Sequence, residues 1–385
     1  MIQPALRLNG IGEYYFSGKL RQIEEMNRNG ANVINLGIGS PDRPPHQQVI
    51  GKLQEESKKA EVHAYQSYKG IPALREAMAG FYKNSYGVEL NPDTEILPLI
   101  GSKEGIMHIS MTYLNPGDAV LVPNPGYPTY RAASVLAGAT CIEYRLEEEN
   151  DWLPDWKALE AMDLRRVKIM WVNYPHMPTG KNGNQELFQK LVDFGTRHRI
   201  LICHDNPYSF ILNDAPISLL SVPGAKACVL ELNSLSKSHN LAGWRIGMMA
   251  GNEEFIRQVL RFKSNMDSGM FRPLQVAAAE ALSLQNGWFK KVNEVYAGRK
   301  IWAEKILSTT GCSWDENQVG LFLWAKVPGN FRNAESFSEH FLHQAKVFLT
   351  PGFIFGDAGE QFVRLSLCST EDQFEKALKR IEATK

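Results

Sequence analysis

The sequence predicts an α/β protein with a mostly parallel central sheet in a large part and a smaller α+β part beside it. Three observations carry this. Between about residues 90 and 250, short apolar runs alternate with amphipathic, helix-like stretches, the order that builds strand–helix–strand units. Several of the runs are apolar throughout rather than alternating, as expected of strands covered on both faces. After about residue 280 the pattern changes to two helical stretches set apart from two strand-like runs, which reads as α+β.

In chain order, the expected strands of the large part are Glu95–Leu99, Ala119–Val122, Lys168–Val172, Ile200–Cys203, Cys228–Leu232 and Ile246–Ala250. Pro116-Gly117 and Pro125-Gly126 punctuate them, and Asn184–His198 carries one apolar face, as a crossover helix should. Beyond residue 280, a helix over Trp288–Thr309 leads to a strand over Gly320–Val327, then a helix Ala334–Gln344 and a strand Phe362–Leu367. The helical pattern Gly10–Asn29 and the strand Val33–Leu36 are expected to join this second part. The boundaries expected are residues 45–280 for the large domain, and 1–44 with 281–385 for the small one. There is no internal repeat and no low-complexity segment.

A chain of 385 residues is long for one core, so two domains are expected. Hydrophobic content of 44% and charged content of 22% are those of a soluble globular protein. The 42 basic and 42 acidic residues cancel without long runs of either sign, which argues against a nucleic-acid or anionic-membrane partner. No run of about twenty apolar residues predicts a membrane span, and the stretch around Arg7 lacks the apolar segment of a signal peptide. The five cysteines are scattered, with no C-x-x-C pair; reduced thiols in a cytoplasmic protein are expected. The nine histidines show no metal-ligand spacing, so no metal is expected, and His204 and His239 read as packing or hydrogen-bonding residues.

In open α/β sheets, ligands sit beyond the carboxyl ends of the strands. Asn173 and Asp205 follow two of the expected strands, and Ser234 follows a third, with Lys237 three residues on and Arg245 eight beyond that. Gly101-Ser102-Lys103-Glu104-Gly105 turns from a strand into a helix expected to begin near Glu104, whose free amides would suit a phosphate. Singly, each has a commoner reading: Ser234–Lys237 a solvated turn, Arg245 a surface arginine, Asp205 a cap. Together, an amine among hydroxyls, a cation, an acid and the phenol of Tyr208 are the set that pyridoxal phosphate needs. Its aldehyde takes an amine, its phosphate takes hydroxyls and a cation, its ring nitrogen a carboxylate and its phenolate oxygen a donor. The glycines of Gly37-Ile38-Gly39 make no dinucleotide fingerprint, which sets a nicotinamide oxidoreductase aside.

The run Ser234-Leu235-Ser236-Lys237 through Gly243-Trp244-Arg245-Ile246-Gly247 resembles the Schiff-base segment of the class I/II aminotransferases, the fold-type I pyridoxal-phosphate enzymes. Asp205-Asn206-Pro207-Tyr208, Pro178-Thr179-Gly180, Pro125-Gly126-Tyr127-Pro128-Thr129-Tyr130 and Phe362-Val363-Arg364-Leu365-Ser366 extend the resemblance over roughly residues 30–370, with aspartate and LL-diaminopimelate aminotransferase-like members the most similar. The resemblance implies that Lys237 forms the Schiff base and then moves the substrate proton. Asp205 would pair with the ring nitrogen, Tyr208 donate to the phenolate oxygen and Tyr127 stack on the ring. Ser102, Ser234, Ser236 and Arg245, with the backbone of Lys103, would hold the phosphate. Arg364 would grip the substrate α-carboxylate with its planar fork, near Gly39. Tyr65 would reach the phosphate of a neighbouring subunit, implying a homodimer with shared sites.

The activity implied is transfer of an amino group from an α-amino acid to a 2-oxo acid such as 2-oxoglutarate. A β-elimination lyase with the same cofactor and a non-catalytic pyridoxal-phosphate-binding protein are the alternatives. One residue departs from the family: Met177 stands where asparagine usually precedes Pro178 and donates to the phenolate oxygen. A thioether cannot donate, so Asn173, a water or Tyr208 alone must serve. A Schiff base of higher pKa than in relatives with the asparagine is predicted, readable by spectrophotometric titration. Side-chain specificity stays open. Arg272, Arg43 and Lys69 are candidates to meet a second carboxylate, Tyr14 and Tyr15 to line a pocket, and Asn265–Gly269 resembles a segment of the LL-diaminopimelate group.

Overall fold

A computed structural model describes residues 2–12, 15–284 and 286–384. Tyr14 lies outside the described residues. Among the described residues there are thirteen strands, β1 Ile34–Asn35, β2 Ile96–Leu99, β3 Ala119–Asn124, β4 Thr140–Arg145, β5 Val167–Val172, β6 Leu201–Asp205, β7 Val229–Ser234, β8 Gly247–Gly251, β9 Ser313–Trp314, β10 Phe322–Lys326, β11 Val347–Phe348, β12 Thr350–Pro351 and β13 Phe362–Ser366.

Seven of them form one sheet in the order β2-β8-β7-β6-β5-β3-β4. All neighbours are parallel except at β8, which runs against both β2 and β7. Every residue of β2, β3, β6, β7 and β8 is buried, as continuous apolar runs under helices on both faces require. The Gln185–His198 helix shows how the cover is made. Asn184 caps it by accepting from Leu187 N at 2.8 Å, and Leu187, Phe188, Leu191, Val192 and Phe194 present one buried stripe.

A second sheet, ordered β12-β13-β10-β9, is antiparallel throughout. β1 pairs in parallel with β11, which ties the chain near residue 35 to the carboxyl-terminal third. The Ala334–Gln344 helix covers β12, with Asn333 and Ser336 closing a reciprocal capping box. One apolar cluster runs through both sheets and the long Asn286–Thr309 helix.

The expected elements are found with shifted ends. β6 and β7 run two residues further than expected, so that Asp205 and Ser234 are the last residues of their strands rather than followers. The expected helix over Gly10–Asn29 is instead a Tyr15–Arg28 helix preceded by a single 3-10 turn at Leu6–Leu8, and the helix expected near Glu104 opens at Ser102. β4 was not expected: Thr140–Arg145 is an edge strand with most of its residues exposed or half-buried, so it carries no apolar run. Among the described residues no helix is long and apolar enough to cross a membrane.

Candidate active site

Because β8 runs against its neighbours, its first residue lies at the edge where the parallel strands end. Gly247 is in register with Leu99 on one side and Ser234 on the other. Arg245, two residues earlier, therefore arrives beside Ser102 and Ser236, which come from distant parts of the chain. The corner is tight. Gly101 sits at φ 83° and ψ 153°, a region that is essentially glycine's alone, and a Cβ there would run into the Arg245 guanidinium. A Cβ on Gly247 would stand 2.6 Å from the Ser102 amide nitrogen.

A cavity of about 430 Å³ opens at this edge. At one end Ser102 begins the Ser102–Tyr113 helix, which no side chain of its N-cap residue closes, a helix start whose dipole suits an anion. The Ser234 hydroxyl donates to Ser236 Oγ at 2.9 Å, and Arg245 Nη1 stands 3.5 Å from the same oxygen. Lys103 lies exposed at the rim. Two hydroxyls, a guanidinium and a helix start form a cradle of phosphate chemistry.

Deeper in, Asp205 is buried at the end of β6. Its Oδ2 accepts from the Tyr130 hydroxyl at 3.0 Å, and Oδ1 has no hydrogen-bond partner. Burial pushes its carboxyl up to about 6, against the opposing pull of Tyr130, His204 and Lys237. Tyr130 is held flat on Trp171, centroids 5.1 Å apart and planes 4° from parallel. The Lys237 ammonium donates to Gly39 O at 2.5 Å. Burial lowers its pKa, and Arg364 and Arg245 act in the same direction. Burial also raises the Tyr208 phenol, keeping it a donor.

Arg364, buried on β13, donates to Gly37 O at 2.8 Å and to Met177 Sδ at 3.2 Å. Its guanidinium lies 4.0 Å from the Phe322 ring centre and 4.7 Å from that of Phe355. Asn173 spends its amide on backbone: Nδ2 donates to Asp205 O at 2.5 Å, and Oδ1 accepts from Met177 N at 2.7 Å.

The fold brings together Gly39, Ser102, Lys103, Tyr127, Asn173, Asp205, Tyr208, Ser234, Ser236, Lys237, Arg245 and Arg364 around one cavity. Tyr65 is not among them; it is 92% exposed. Arg272 faces Glu56 at 3.5 Å, Arg43 lines a different cavity and Lys69 is exposed. Tyr15 packs edge-on against Phe353, centroids 5.3 Å apart. Sequence reasoning assigned no role to Tyr130 or to Phe16, Phe322 and Phe355 around Arg364. Tyr130 stood inside a quoted motif, but its partner lies 75 residues away.

These residues fit pyridoxal phosphate. The orphan acceptor Asp205 Oδ1 suits a protonated ring nitrogen, the hydroxyl–guanidinium corner suits the phosphate, and Lys237 supplies an amine to the same cavity. The comparisons agree. The family model "Aminotransferase class I and II" matches residues 31–381. The LL-diaminopimelate aminotransferase of Halothermothrix orenii is 39% identical over 383 residues, covering 99% of this chain and 98% of the relative. The apo structure of BacF from Bacillus subtilis superposes with a TM-score of 0.95 at 35% identity, covering 100% of this chain and 98% of that one. An aminotransferase from Staphylococcus aureus gives 0.90 at 28% identity, covering 99% and 98%. The comparisons lend no support to a β-elimination lyase or a non-catalytic binding protein. With fold, site and relatives in agreement, the chain belongs to the class I and II aminotransferases, pyridoxal-phosphate-dependent enzymes of the fold-type I class that move an amino group between an amino acid and a 2-oxo acid.

Proposed function

We propose that Lys237 is the residue that binds the cofactor and moves the substrate proton, within a site made by Asp205, Tyr208, Arg245 and Arg364. The observation that carries this is the meeting of Lys237 with an unpartnered, buried Asp205 oxygen in one cavity. When bound, pyridoxal phosphate supplies the electron sink for the bond broken at the substrate α-carbon. Lys237, whose pKa burial lowers, reaches neutrality more easily than a solvated lysine and so can act as nucleophile and then as base at that carbon. Asp205 keeps a proton on the ring nitrogen, and Tyr130 holds Asp205 in place. Tyr208 donates to the phenolate oxygen without help from Asn173, whose amide is committed to backbone. Tyr127 covers one ring face. Ser102, Ser234, Ser236 and Arg245, with the amide of Lys103, hold the phosphate. Arg364 forks the α-carboxylate against the Gly37–Gly39 loop.

The reading includes a homodimer in which Tyr65 completes the partner's phosphate site. It is supported by an exposed apolar group, Tyr65, Tyr68, Met266 and Phe271, in a region where the 66–67 backbone abuts Gly269 and His63 lies 5.7 Å from the Phe271 ring. It also includes a division into a large domain over residues 45–280 and a small one formed by 1–44 with 281–385, supported by two sheets that share no strand. Five free thiols suit a reducing cytoplasm. The relative from Halothermothrix orenii is named for LL-diaminopimelate, so that amino acid belongs among the substrates to be compared. Borohydride reduction of coenzyme-saturated protein, followed by peptide mapping, should label Lys237 and no other residue; a label elsewhere overturns the assignment.

A further inference from the structure

We propose that the side-chain end of this cavity is built for amino acids with large uncharged side chains, aromatic or aliphatic, and disfavours those ending in a second carboxylate. The proposal rests on the aminotransferase site described above and names the substrate class it takes. Charge in the cavity is segregated. Lys103, Asp205, Lys237 and Arg245 stand at the end where the parallel strands finish, and Arg364 is assigned to the α-carboxylate. A substrate held by its carboxylate at Arg364 and its nitrogen at Lys237 is left with the remaining wall for its side chain.

That wall is mostly apolar, made by Phe16, Leu20, Ile38, Met177, Phe322 and Phe355, with Ser17 and Ser40 beside them. Three of the rings lie 4.0, 4.7 and 5.7 Å from the Arg364 guanidinium, so the apolar surface begins at the carboxylate subsite itself. It continues outward to Leu20, which the Tyr15–Arg28 helix keeps at the mouth although it is 42% exposed. Among the described residues lining the cavity, the cations are Lys103, Lys237, Arg245 and Arg364 alone. Two cations on flanking elements are already matched: Lys19 with Glu339 at 2.5 Å, and Arg299 with Asp42 through two contacts of 2.7 and 2.8 Å. A second carboxylate seated against these rings would lose its water, and no residue of that wall carries a charge to offset the loss. A phenyl or branched aliphatic group would bury apolar area against rings. The distal ammonium and carboxylate of LL-diaminopimelate meet the same wall and share the disadvantage.

Single-turnover half-reactions of the holoenzyme, followed by loss of the cofactor absorbance, test this with phenylalanine and leucine against aspartate and LL-diaminopimelate. The uncharged pair should react with a second-order rate constant at least about tenfold higher. Calorimetric titration of the holoenzyme with two unreactive acids gives an independent readout: 3-phenylpropanoate should bind at least about tenfold tighter than succinate. Leu20→Arg, which adds a cation at the mouth, should narrow both gaps. Faster reaction of aspartate or LL-diaminopimelate overturns the proposal, whether or not Lys69→Ala abolishes it, since Lys69 lies on the loop that carries Tyr65. Conversion of no amino acid at all would instead overturn the amino-transfer reading, while the two acids would still decide the character of the pocket.

Discussion

A buried carboxylate with one oxygen left unpartnered destabilises a protein, and Asp205 is one. Its folded pKa of about 6 lies above the ordinary aspartate value because burial penalises the anion. For a group raised in this way, the contribution to stability is complete below the unfolded value of about 4 and is lost as pH climbs through the folded one. Coenzyme-free protein should lose about 3 kcal/mol over that window on this account. Asp205→Asn apoprotein should be flatter with pH and more stable above neutrality in denaturant titrations, while the loaded variant should lose activity by about a thousandfold. A native-like pH curve for the variant would rule the explanation out. Lys237, Asp205 and Arg364 were legible in the sequence because their neighbours in the chain form distinctive strings. Tyr130's bond to Asp205 was not, since that contact is made only when the Pro128–Leu136 helix that follows β3 meets the end of β6. Met177 was legible as a departure, but its contact with Arg364 was not.

The reversed strand β8 is the element that assembles the corner of hydroxyls and guanidinium at Ser102, Ser236 and Arg245. With β8 parallel to its neighbours, Arg245 would lie at the opposite edge from Ser102 and Ser234. Hydrophobic runs predict that a strand exists at Ile246–Ala250 but say nothing about its direction, because direction is set by pairing with β2 and β7. The same blindness hid β4, whose polar edge gives no apolar run. Gly101 is the test at this scale. Gly101→Ala puts a side chain into a backbone region that costs about 1–3 kcal/mol and presses on Arg245. The coenzyme dissociation constant, from spectrophotometric titration of the apoenzyme, should rise at least about tenfold, with the fold retained. Unchanged affinity would mean that the corner does not hold the phosphate.

For the whole molecule, the proposal of shared sites makes a sharp genetic prediction. Lys237→Ala and Tyr65→Ala homodimers should each be impaired, but their hybrid contains one site with both native residues. Mixing the two and letting subunits exchange should restore activity toward about half the native value per hybrid dimer, and light scattering should give twice the chain mass. No restoration would place Tyr65's role within its own subunit. The sequence by itself determined the α/β class, the cofactor and most of the residues that line the cavity, because strand burial and the cofactor's functional groups dictate residue types at the ends of particular strands. Only the tertiary structure decided which way β8 runs, which hydroxyl steadies Asp205 and how apolar the wall around Arg364 is. Those depend on contacts between segments tens to hundreds of residues apart, and no local pattern encodes such distances.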